Sequence, residues 1–384
     1  MKIAVVVCTF PPYKGGMGNS AWRLAEVMAK LGHNITVFTS KQKVGLAEVS
    51  NNVKVVRLPT AIKIGNAAKL IGLETALIGF DIIHFHYPFY GSHRAILRAA
   101  KRSPQTKLLL HYHMEPAAGG LKGWLFKLER LFILPVLINR ATTVITATSD
   151  YRDQTVLARY YQKDPDKFAV IPFGVDTDVF VPKSTNENHI KLIRLLFVGG
   201  LDSAHYFKGV NILLLAVSQA KNELASKDIF LHLTIIGSGN LLPQYQVLVN
   251  TLNLVNEVTF ASSVETGELP KYYQTADVFI LPSINQGEAF GLVLLEAMAS
   301  GVAVIASSLP GVRQVFVNEQ EGLYVTPSQP NALALAIERL ATDRELCTRL
   351  GQSGRNTAVT KYNWHAIANQ WQKLYKSTDE NLRN

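Results

Sequence analysis

Two glutamates, Glu288 and Glu296, stand in the otherwise apolar run "GEAFGLVLLEAMASG" at residues 287–301. The run predicts a helix over 289–299 that is apolar on all sides and therefore belongs in the interior. A carboxylate there is costly unless hydrogen-bond donors satisfy it, and no Lys or Arg stands close by in the sequence. Glu296 is therefore a candidate for holding ligand hydroxyls, or else for pairing with a distant backbone amide or arginine.

Glu288 stands just before the predicted helix, where the helix dipole favours a carboxylate. The free N–H groups of a first helical turn also bind anions such as phosphate. On local grounds Glu288 is either a capping residue or a ligand-binding acid beside an anion site.

The first glycine loop is "PPYKGGMGNSA", in which Gly16, Gly18 and Ala21 fit the G-x-G-x-x-A dinucleotide fingerprint. Its long loop and the absence of an acid after the next strand, "FTSKQK", argue against a dinucleotide. Because Lys41 could bind the 2′-phosphate of NADP, an NADP-dependent enzyme remains an alternative. We favour a different use, in which Gly15 and Gly16 let the backbone approach a bulky anionic ligand at a helix start.

The second glycine loop, "FVGGLDSAHYFKG", follows a predicted strand and precedes a predicted helix. This placement puts His205 and Lys208 at the carboxyl end of that strand. A lysine there can neutralise a diphosphate as a point charge, although a solvated surface lysine fits the local pattern equally well.

These residues are positioned by an alternation of strand-like and helix-like segments that occurs twice. Strand-like runs such as "KIAVVVCTF", "DIIHFHY" and "KLLLHYH" are followed, after the linker-like "IPFGVDTDVFVPKSTNENHIK", by "RLLFVGG", "FLHLTIIGSG" and "DVFILPS". The pattern predicts an α/β protein with two Rossmann-like, doubly wound parallel-sheet domains, at about residues 1–175 and 190–360. Such sheets bind ligands beyond the carboxyl ends of their strands, so the expected site is an inter-domain cleft.

Composition limits the class of protein. The 384 residues are 48% hydrophobic and carry a formal net charge of +10. Residues 61–140 contain eleven Lys or Arg against four Asp or Glu, a surplus of +7 that suits an anionic partner. Two distant cysteines, Cys8 and Cys347, indicate a reduced cytoplasmic protein. We expect no signal peptide and no membrane span, because the most apolar stretch, 124–138, is interrupted by charges and a proline.

Taken together, the motifs resemble the GT-B glycosyltransferases of the retaining, nucleotide-sugar-dependent group (family GT4) to which glycogen and sucrose synthases are related. The resemblance covers nearly the whole chain and is most specific at "ADVFILPSINQGEAFGLVLLEAMASGVAVIASSLPGVRQV", which contains the E-x7-E element. It implies an acceptor-binding N-terminal domain, a donor-binding C-terminal domain, and a C-terminal helix, about 361–384, that packs back on the first domain.

The resemblance also implies roles for individual residues. Glu288 would contact hydroxyls of the donor sugar, and Glu296 would hold the nucleotide ribose. Lys208 would bind the phosphates, and His113 would lie near the transferred sugar and the acceptor. Further donor contacts would come from Gly15, Gly16, Gly200, His205, Ser263 and Ala289, and from backbone N–H groups of Phe290, Gly291 and Leu292.

One position departs from the family pattern: Gly200 stands where the family usually has an arginine, and His205 is a candidate replacement for that cation. The family implies no metal ion and a same-face substitution in which the departing phosphate takes the acceptor proton. A covalent carboxylate nucleophile, as in retaining glycosidases, is the alternative. His84, His86, His111 and His113 occupy alternating strand positions, which favours core or cleft residues over metal ligands.

The basic, apolar segment "LKGWLFKLERLFILPVLINR" suggests peripheral docking on anionic lipid at the inner face of the plasma membrane, with a lipid-linked or glycan acceptor in envelope or polysaccharide synthesis. An ordinary buried helix pair fits the segment equally well. The donor is expected to be a UDP- or GDP-sugar, whose base would be read around 262–264. A non-catalytic nucleotide-sugar sensor and a sugar-nucleotide epimerase remain alternatives, and no nucleic-acid-binding pattern is evident.

Overall fold

The computed structural model describes residues 1–12, 15–41, 53–115, 120–183, 191–262, 264 and 267–380. The chain divides into two compact units. Unit 1 comprises Met1–Phe173 together with Trp364–Asn384, and unit 2 comprises Gly174–Asn363. Ser263 lies outside the described residues. Among the described helices, none is long and apolar enough to span a membrane.

Unit 1 is built on a seven-stranded sheet in the order β3-β2-β1-β6-β7-β8-β9 and a separate antiparallel hairpin of β4 and β5. Its strands are β1 Lys2–Val6, β2 Asn34–Ser40, β3 Lys54–Leu58, β4 Thr60–Ile64, β5 Ala67–Leu70, β6 Ile82–Tyr87, β7 Lys107–Tyr112, β8 Thr143–Thr146 and β9 Phe168–Val170. Its first helices are α1 Gly16–Lys30, α2 Leu73–Ala76, α3 His93–Arg102, α4 Gly120–Phe132, α5 Leu134–Arg140, α6 Ser149–Asp153 and α7 Ala158–Lys163.

All neighbours in the seven-stranded sheet are parallel, as the βαβ alternation predicts. Every residue of β6, and all but the first of β1 and of β2, is buried, because helices cover both faces of such a sheet. The β4–β5 hairpin and the short β9 were not anticipated from the sequence. The hairpin is mostly exposed on β4 and so lacks the apolar run that marks a buried strand.

Unit 2 has a six-stranded parallel sheet in the order β12-β11-β10-β13-β14-β15. Its strands are β10 Leu192–Val198, β11 Phe230–Ile236, β12 Val258–Ala261, β13 Val278–Leu281, β14 Ala303–Ser307 and β15 Leu323–Val325. Its helices are α8 Val210–Ala225, α9 Leu242–Thr251, α10 Leu269–Thr275, α11 Leu292–Ala299, α12 Pro330–Thr342 and α13 Arg344–Lys361. Its core joins residues of β10, β11 and β14 to α8 and α12.

The last helix, α14 Trp364–Glu380, belongs to unit 1 although the preceding chain belongs to unit 2. Its buried residues Ile367, Trp371 and Tyr375 join the core of unit 1. Burying these three large side chains contributes roughly 5–8 kcal/mol of transfer free energy, which ties the chain end to the first sheet.

Candidate active site

In the sheet of unit 2, the order in which strands are added reverses between β10 and β13, although all strands stay parallel. The chain passes from β10 outward to β11 and β12, then returns to β13 on the other side of β10 and continues to β14 and β15. In open α/β sheets, ligands bind beyond the carboxyl ends of the strands at such a switch point. Lys208 follows β10, while Ser283 and Glu288 follow β13, so these three residues lie at the place where the fold favours a ligand.

Lys208 and Glu288 form an ion pair at this switch point. Lys208 Nζ lies 2.6 Å from Glu288 Oε2, and the Ser283 hydroxyl donates to the same oxygen at 3.1 Å. The side chains of Lys208 and Glu288 are only 14% and 10% exposed. Removing one partner of such a nearly buried pair strongly destabilises the protein, because the other charge is left buried and unpaired.

Helix α11 begins at Leu292, three residues later than the predicted start at Ala289. The prediction was wrong because Gly291, the N-cap, has φ +86°, a left-handed conformation that cannot continue a right-handed helix. A Cβ at Gly291 would also lie 2.7 Å from Leu281 Cδ2, so this buried leucine would have to shift to admit a side chain. The first turn of α11 has no acidic residue and Gly291 has no side chain to cap it, which leaves its N-terminus suited to an anion.

Glu296 lies in the second turn of α11, on the partly exposed side shared with Leu292 and Val293. Its Oε2 accepts a hydrogen bond of 2.8 Å from the hydroxyl of Tyr273, a fully buried residue of α10. Burial raises the pKa of the Glu296 carboxyl to about 7, against smaller lowering effects from the Tyr273 hydrogen bond and the charge of Lys208. Among the described residues, no Lys or Arg forms an ion pair with Glu296. The acid is therefore partly open to solvent and stands outside any ion pair among the described residues, although the charge of Lys208 acts on it.

His205 packs directly over Gly200. A Cβ added at Gly200 would lie 2.7 Å from His205 Nδ1 and 2.9 Å from its Cγ. The same imidazole pairs with Asp202, whose Oδ2 lies 2.8 Å from Nδ1 and whose Oδ1 accepts from the backbone N–H of Ala204 and His205. The imidazole therefore occupies the space into which a side chain at position 200 would project.

In unit 1, α1 begins at Gly16 behind the N-cap Gly15, which lacks a capping side chain. The first turn contains no acidic residue. A Cβ at Gly18 would lie 2.8 Å from the carbonyl oxygen of Thr9, so glycine lets α1 approach the segment that follows β1 closely. This helix N-terminus is, like that of α11, open to an anion.

His113 is buried beyond the end of β7, as one of four stacked histidines. Its Nε2 lies 2.7 Å from His86 Nδ1, and its ring stacks on those of His111 and Phe173 at 4.2 Å and 5.3 Å between centroids. Burial lowers the pKa of His113 to about 3, so its imidazole is neutral at physiological pH. We name His84, His86, His111 and His113 the histidine stack.

The structure groups most of the residues singled out in unit 2. Lys208, Glu288 and Glu296 lie close enough for the charge of Lys208 to act on both acids. The side chains of Ala289 and Phe290 are buried, so any ligand contact from these two residues must come from the backbone. Sequence reasoning missed Tyr273, Ser283 and Asp202, the residues that hold the predicted ones in place. Their spacing along the chain carries no signal that they contact Glu296, Glu288 and His205.

Two family models match consecutive parts of the chain. The model described as Glycosyltransferase Family 4 matches residues 14–179, and the model described as Glycosyl transferases group 1 matches residues 183–357. The chain is 27% identical to a D-inositol 3-phosphate glycosyltransferase of Corynebacterium glutamicum, covering 96% of this chain and 93% of that one. It is 25% identical to a GDP-mannose-dependent alpha-(1-6)-phosphatidylinositol monomannoside mannosyltransferase of Mycobacterium tuberculosis, covering 96% of each.

Solved structures show the same fold. Sucrose-phosphate synthase from Thermosynechococcus elongatus matches with a TM-score of 0.79 at 25% identity over 98% of each chain. HepE from Anabaena in complex with UDP-glucose matches with a TM-score of 0.72 at 18% identity, covering 98% of this chain and 100% of that one. The chain therefore belongs to the GT-B glycosyltransferases, with a Family 4 region followed by a group 1 region.

Proposed function

We propose that this enzyme is a retaining hexosyltransferase that moves a sugar from a UDP- or GDP-sugar to a hydroxyl group of a glycan or lipid-linked acceptor. The observation that carries the proposal is the grouping of Lys208, Glu288 and Glu296 around the N-terminus of α11, at the switch point of the sheet in unit 2. HepE, a structural neighbour, was solved with UDP-glucose, and a mycobacterial relative is named for its use of GDP-mannose.

In this proposal the donor's diphosphate replaces Glu288 as the ion-pair partner of Lys208. The phosphate charge is then met by Lys208 and by backbone N–H groups of Phe290, Gly291 and Leu292 at the helix start. Glu288, still held by Ser283, accepts hydrogen bonds from hydroxyls of the donor sugar. Glu296 accepts hydrogen bonds from the ribose, which adds donors to the one that Tyr273 supplies to this largely desolvated carboxylate.

The chemistry follows from these charges. The bond from the anomeric carbon to the diphosphate breaks, positive charge develops on the sugar, and negative charge develops on the departing phosphate. Lys208 and the α11 N-terminus stabilise that phosphate as preorganised electrostatic groups. The acceptor oxygen bonds to the same face of the sugar, and its proton passes to the departing diphosphate. Glu288 stays a sugar-binding residue in this scheme, with its Oε2 held by the Ser283 hydroxyl.

His205 takes the part of the arginine that the family resemblance places at position 200. Two observations support this assignment: its ring covers Gly200, and its Nδ1 is fixed by Asp202. No metal ion is needed for this arrangement, and full activity after dialysis against EDTA is the expected result.

We assign the acceptor side to unit 1 and propose that it works in the cytoplasm, docked on anionic lipid. On α4 and α5, the side chains Trp124, Leu125, Leu131, Phe132 and Val136 are each at least half exposed. The opposite face of α4 is fixed, since Phe126 stacks on Tyr90 at 4.9 Å and Glu129 accepts from the Tyr87 hydroxyl at 2.7 Å. We name the five exposed residues the apolar ridge.

The ridge is bordered by the exposed Lys127 and by the basic residues Lys101 and Arg140, which line a groove with Val136. Exposed apolar side chains with flanking cations fit a leaflet containing anionic lipid better than a neutral one. The mycobacterial relative, by its name, acts on a phosphatidylinositol monomannoside, which is a lipid.

Vesicle co-sedimentation tests this docking. Wild type is expected to co-sediment with phosphatidylglycerol vesicles at low salt and not with phosphatidylcholine vesicles. Trp124→Ser with Phe132→Ser lowers binding at least about tenfold through lost apolar burial. Leu335→Ser, which alters an equally exposed side chain of unit 2, is the matched control. Failure of wild type to bind anionic vesicles would remove the membrane from the proposal.

A thermal-shift screen of UDP-, GDP- and ADP-sugars tests the donor assignment. One of the first two classes is expected to stabilise wild type and the control Glu268→Gln, which alters an exposed acid of unit 2. Glu296→Ala is expected to abolish that shift. Incubation of the stabilising donor with candidate acceptors then identifies the product, whose anomeric configuration distinguishes retention from inversion. Absence of any shift with wild type would refute the donor assignment.

A further inference from the structure

The histidine stack lies on one face of the unit 1 sheet. His84 and His86 alternate along β6, and His111 and His113 alternate along β7 and just beyond it, with His86 opposite His111 in the register. The rings lie 4.2 to 5.4 Å apart between centroids where they meet, and all four are buried. Helix α14 covers this face with Trp371 against the rings of His84 and His111.

Two imidazole–imidazole hydrogen bonds cross the stack. His84 Nε2 lies 3.2 Å from His111 Nδ1, and His86 Nδ1 lies 2.7 Å from His113 Nε2. The outer nitrogen of His84, Nδ1, meets the Tyr375 hydroxyl at 2.8 Å. The outer nitrogen of His86, Nε2, is buried and has no partner among the described residues. This difference decides how the proton is arranged between His86 and His113.

A neutral imidazole carries one N–H, so two arrangements are possible for the pair. If His113 Nε2 donates, His86 must carry its own hydrogen on Nε2, as a buried donor without an acceptor. If His86 Nδ1 donates, His86 Nε2 is a bare acceptor and His113 carries its hydrogen on Nδ1. Buried unpaired donors are rarer than unpaired acceptors, so the second arrangement is favoured.

We propose that His86 is a positioning residue that donates from Nδ1 to His113 Nε2 and thereby fixes His113 as the Nδ1–H tautomer. This inference rests on the proposed function together with the role that the family resemblance implies for His113, near the transferred sugar. There His113 acts as a neutral hydrogen-bond donor to a sugar or acceptor oxygen, not as a base, which agrees with the acceptor proton passing to the departing diphosphate. The nitrogen that a histidine offers to a ligand is set by the bond its other nitrogen makes.

A chelated metal is the competing interpretation of the same residues. His84, His86 and His111 each offer a nitrogen, and these nitrogens lie within 4.8 Å of one another. The rings of His84 and His86, however, are stacked at 4.5 Å with only 16° between their planes. The lone pairs of imidazole nitrogens lie in the ring planes, and no ion can lie in two nearly parallel planes at once. The stacking therefore favours a hydrogen-bonded arrangement.

Three substitutions at His86 separate the hydrogen bond from the packing. Asn places an amide N–H near the position of Nδ1, Gln places its amide near Nε2, and Phe keeps the ring without any donor. We expect His86→Asn to retain most of the wild-type kcat, while His86→Gln and His86→Phe lower kcat about tenfold, the typical value of one hydrogen bond. The nucleotide affinity of unit 2 is expected to stay unchanged in all three. His84→Phe, which keeps a stacked ring but removes two nitrogens that do not bond His113, is the control for folding.

The tautomer itself is measured by long-range ¹H–¹⁵N correlation spectra of histidine-labelled, chelator-treated protein, with His113→Gln assigning the resonance. Wild type and His86→Asn are expected to show the Nδ1–H form of His113, and His86→Phe a mixture of tautomers. The Nε2–H form in wild type would overturn the proposal, as would a wild-type spectrum in His86→Phe. This readout needs no substrate, so it tests the inference even if no sugar donor binds and the proposed function fails.

Discussion

Replacing Glu296 by Gln should stabilise the unliganded enzyme at high pH while weakening its donor binding. Gln keeps the size of the side chain and an oxygen that accepts from the Tyr273 hydroxyl, but it removes the charge. A residue kept for structure would give the opposite result, since loss of its charge interactions lowers stability. The substitution therefore separates a ligand-binding acid from a structural one.

The magnitude follows from the pKa of Glu296, which burial raises from an ordinary 4.5 to about 7. Because the folded state holds this proton more tightly than the unfolded chain, wild-type stability falls as the pH rises from 4.5 to 7 and then levels off. At about 1.4 kcal/mol per pH unit, wild type loses roughly 2–3 kcal/mol relative to Glu296→Gln between pH 5 and pH 8. For a unit of this size the difference corresponds to roughly 4–10 °C in Tm.

Differential scanning fluorimetry of wild type and Glu296→Gln at pH 5 and pH 8 measures this difference. The comparison must be between the two proteins, because burial also raises the pKa of Glu129 in unit 1 to about 7 and adds a pH dependence common to both. Glu268→Gln should show no pH-dependent gain over wild type. The reasoning would be refuted if Glu296→Gln were less stable than wild type at pH 8. It would also be refuted if the Tm difference between the two proteins were the same at both pH values.

The other predictions concern the surroundings of the same acid. Lys208→Met should lower both donor affinity, measured by calorimetry, and stability, measured by urea unfolding, because it leaves the nearly buried Glu288 unpaired. Adding Glu288→Gln to this variant should restore the stability but not the donor affinity. Gly200→Arg alone should disturb the His205 loop and weaken donor binding in calorimetry, whereas Gly200→Arg with His205→Gly, which clears the space over position 200, should restore donor binding; equal behaviour of the single and double variants would contradict the packing at Gly200. Gly291→Ala should destabilise unit 2 by about 1–3 kcal/mol in urea unfolding, because its φ is +86° and its Cβ would meet Leu281; a neutral effect would contradict that geometry.

The apolar strands and their parallel pairing could be predicted from the sequence because both depend on local signals. The run of β13 is apolar throughout and that of β1 is apolar after Lys2, and βαβ alternation dictates parallel pairing. The E-x7-E spacing likewise pointed to the two acids. The start of α11 was misplaced because hydrophobicity continues through residues 289–291, while the backbone conformation of Gly291 does not.

Contacts over long sequence distances could not be predicted. Tyr273 reaches Glu296 across 23 positions, and Lys208 reaches Glu288 across 80, so no periodicity connects them. The hydrogen bond between His86 and His113 could not be predicted either, although the alternation of side chains along the strands indicated that both face the same side of the sheet. Such pairs depend on the strand register and on the path of loops, which are fixed by packing of the whole unit.

Calorimetric titration of a four-way cycle tests most directly whether Glu296 holds the ribose. Wild type and Glu296→Gln are each titrated at pH 8 with the preferred nucleoside diphosphate and with its 2′,3′-dideoxy analogue. Hydrogen bonds to a charged group are worth about 1.5–3 kcal/mol, so each single change should weaken binding about ten- to hundredfold. The two changes together should cost little more than either alone. Fully additive losses would show that Glu296 and the ribose hydroxyls do not interact, and would contradict the assignment.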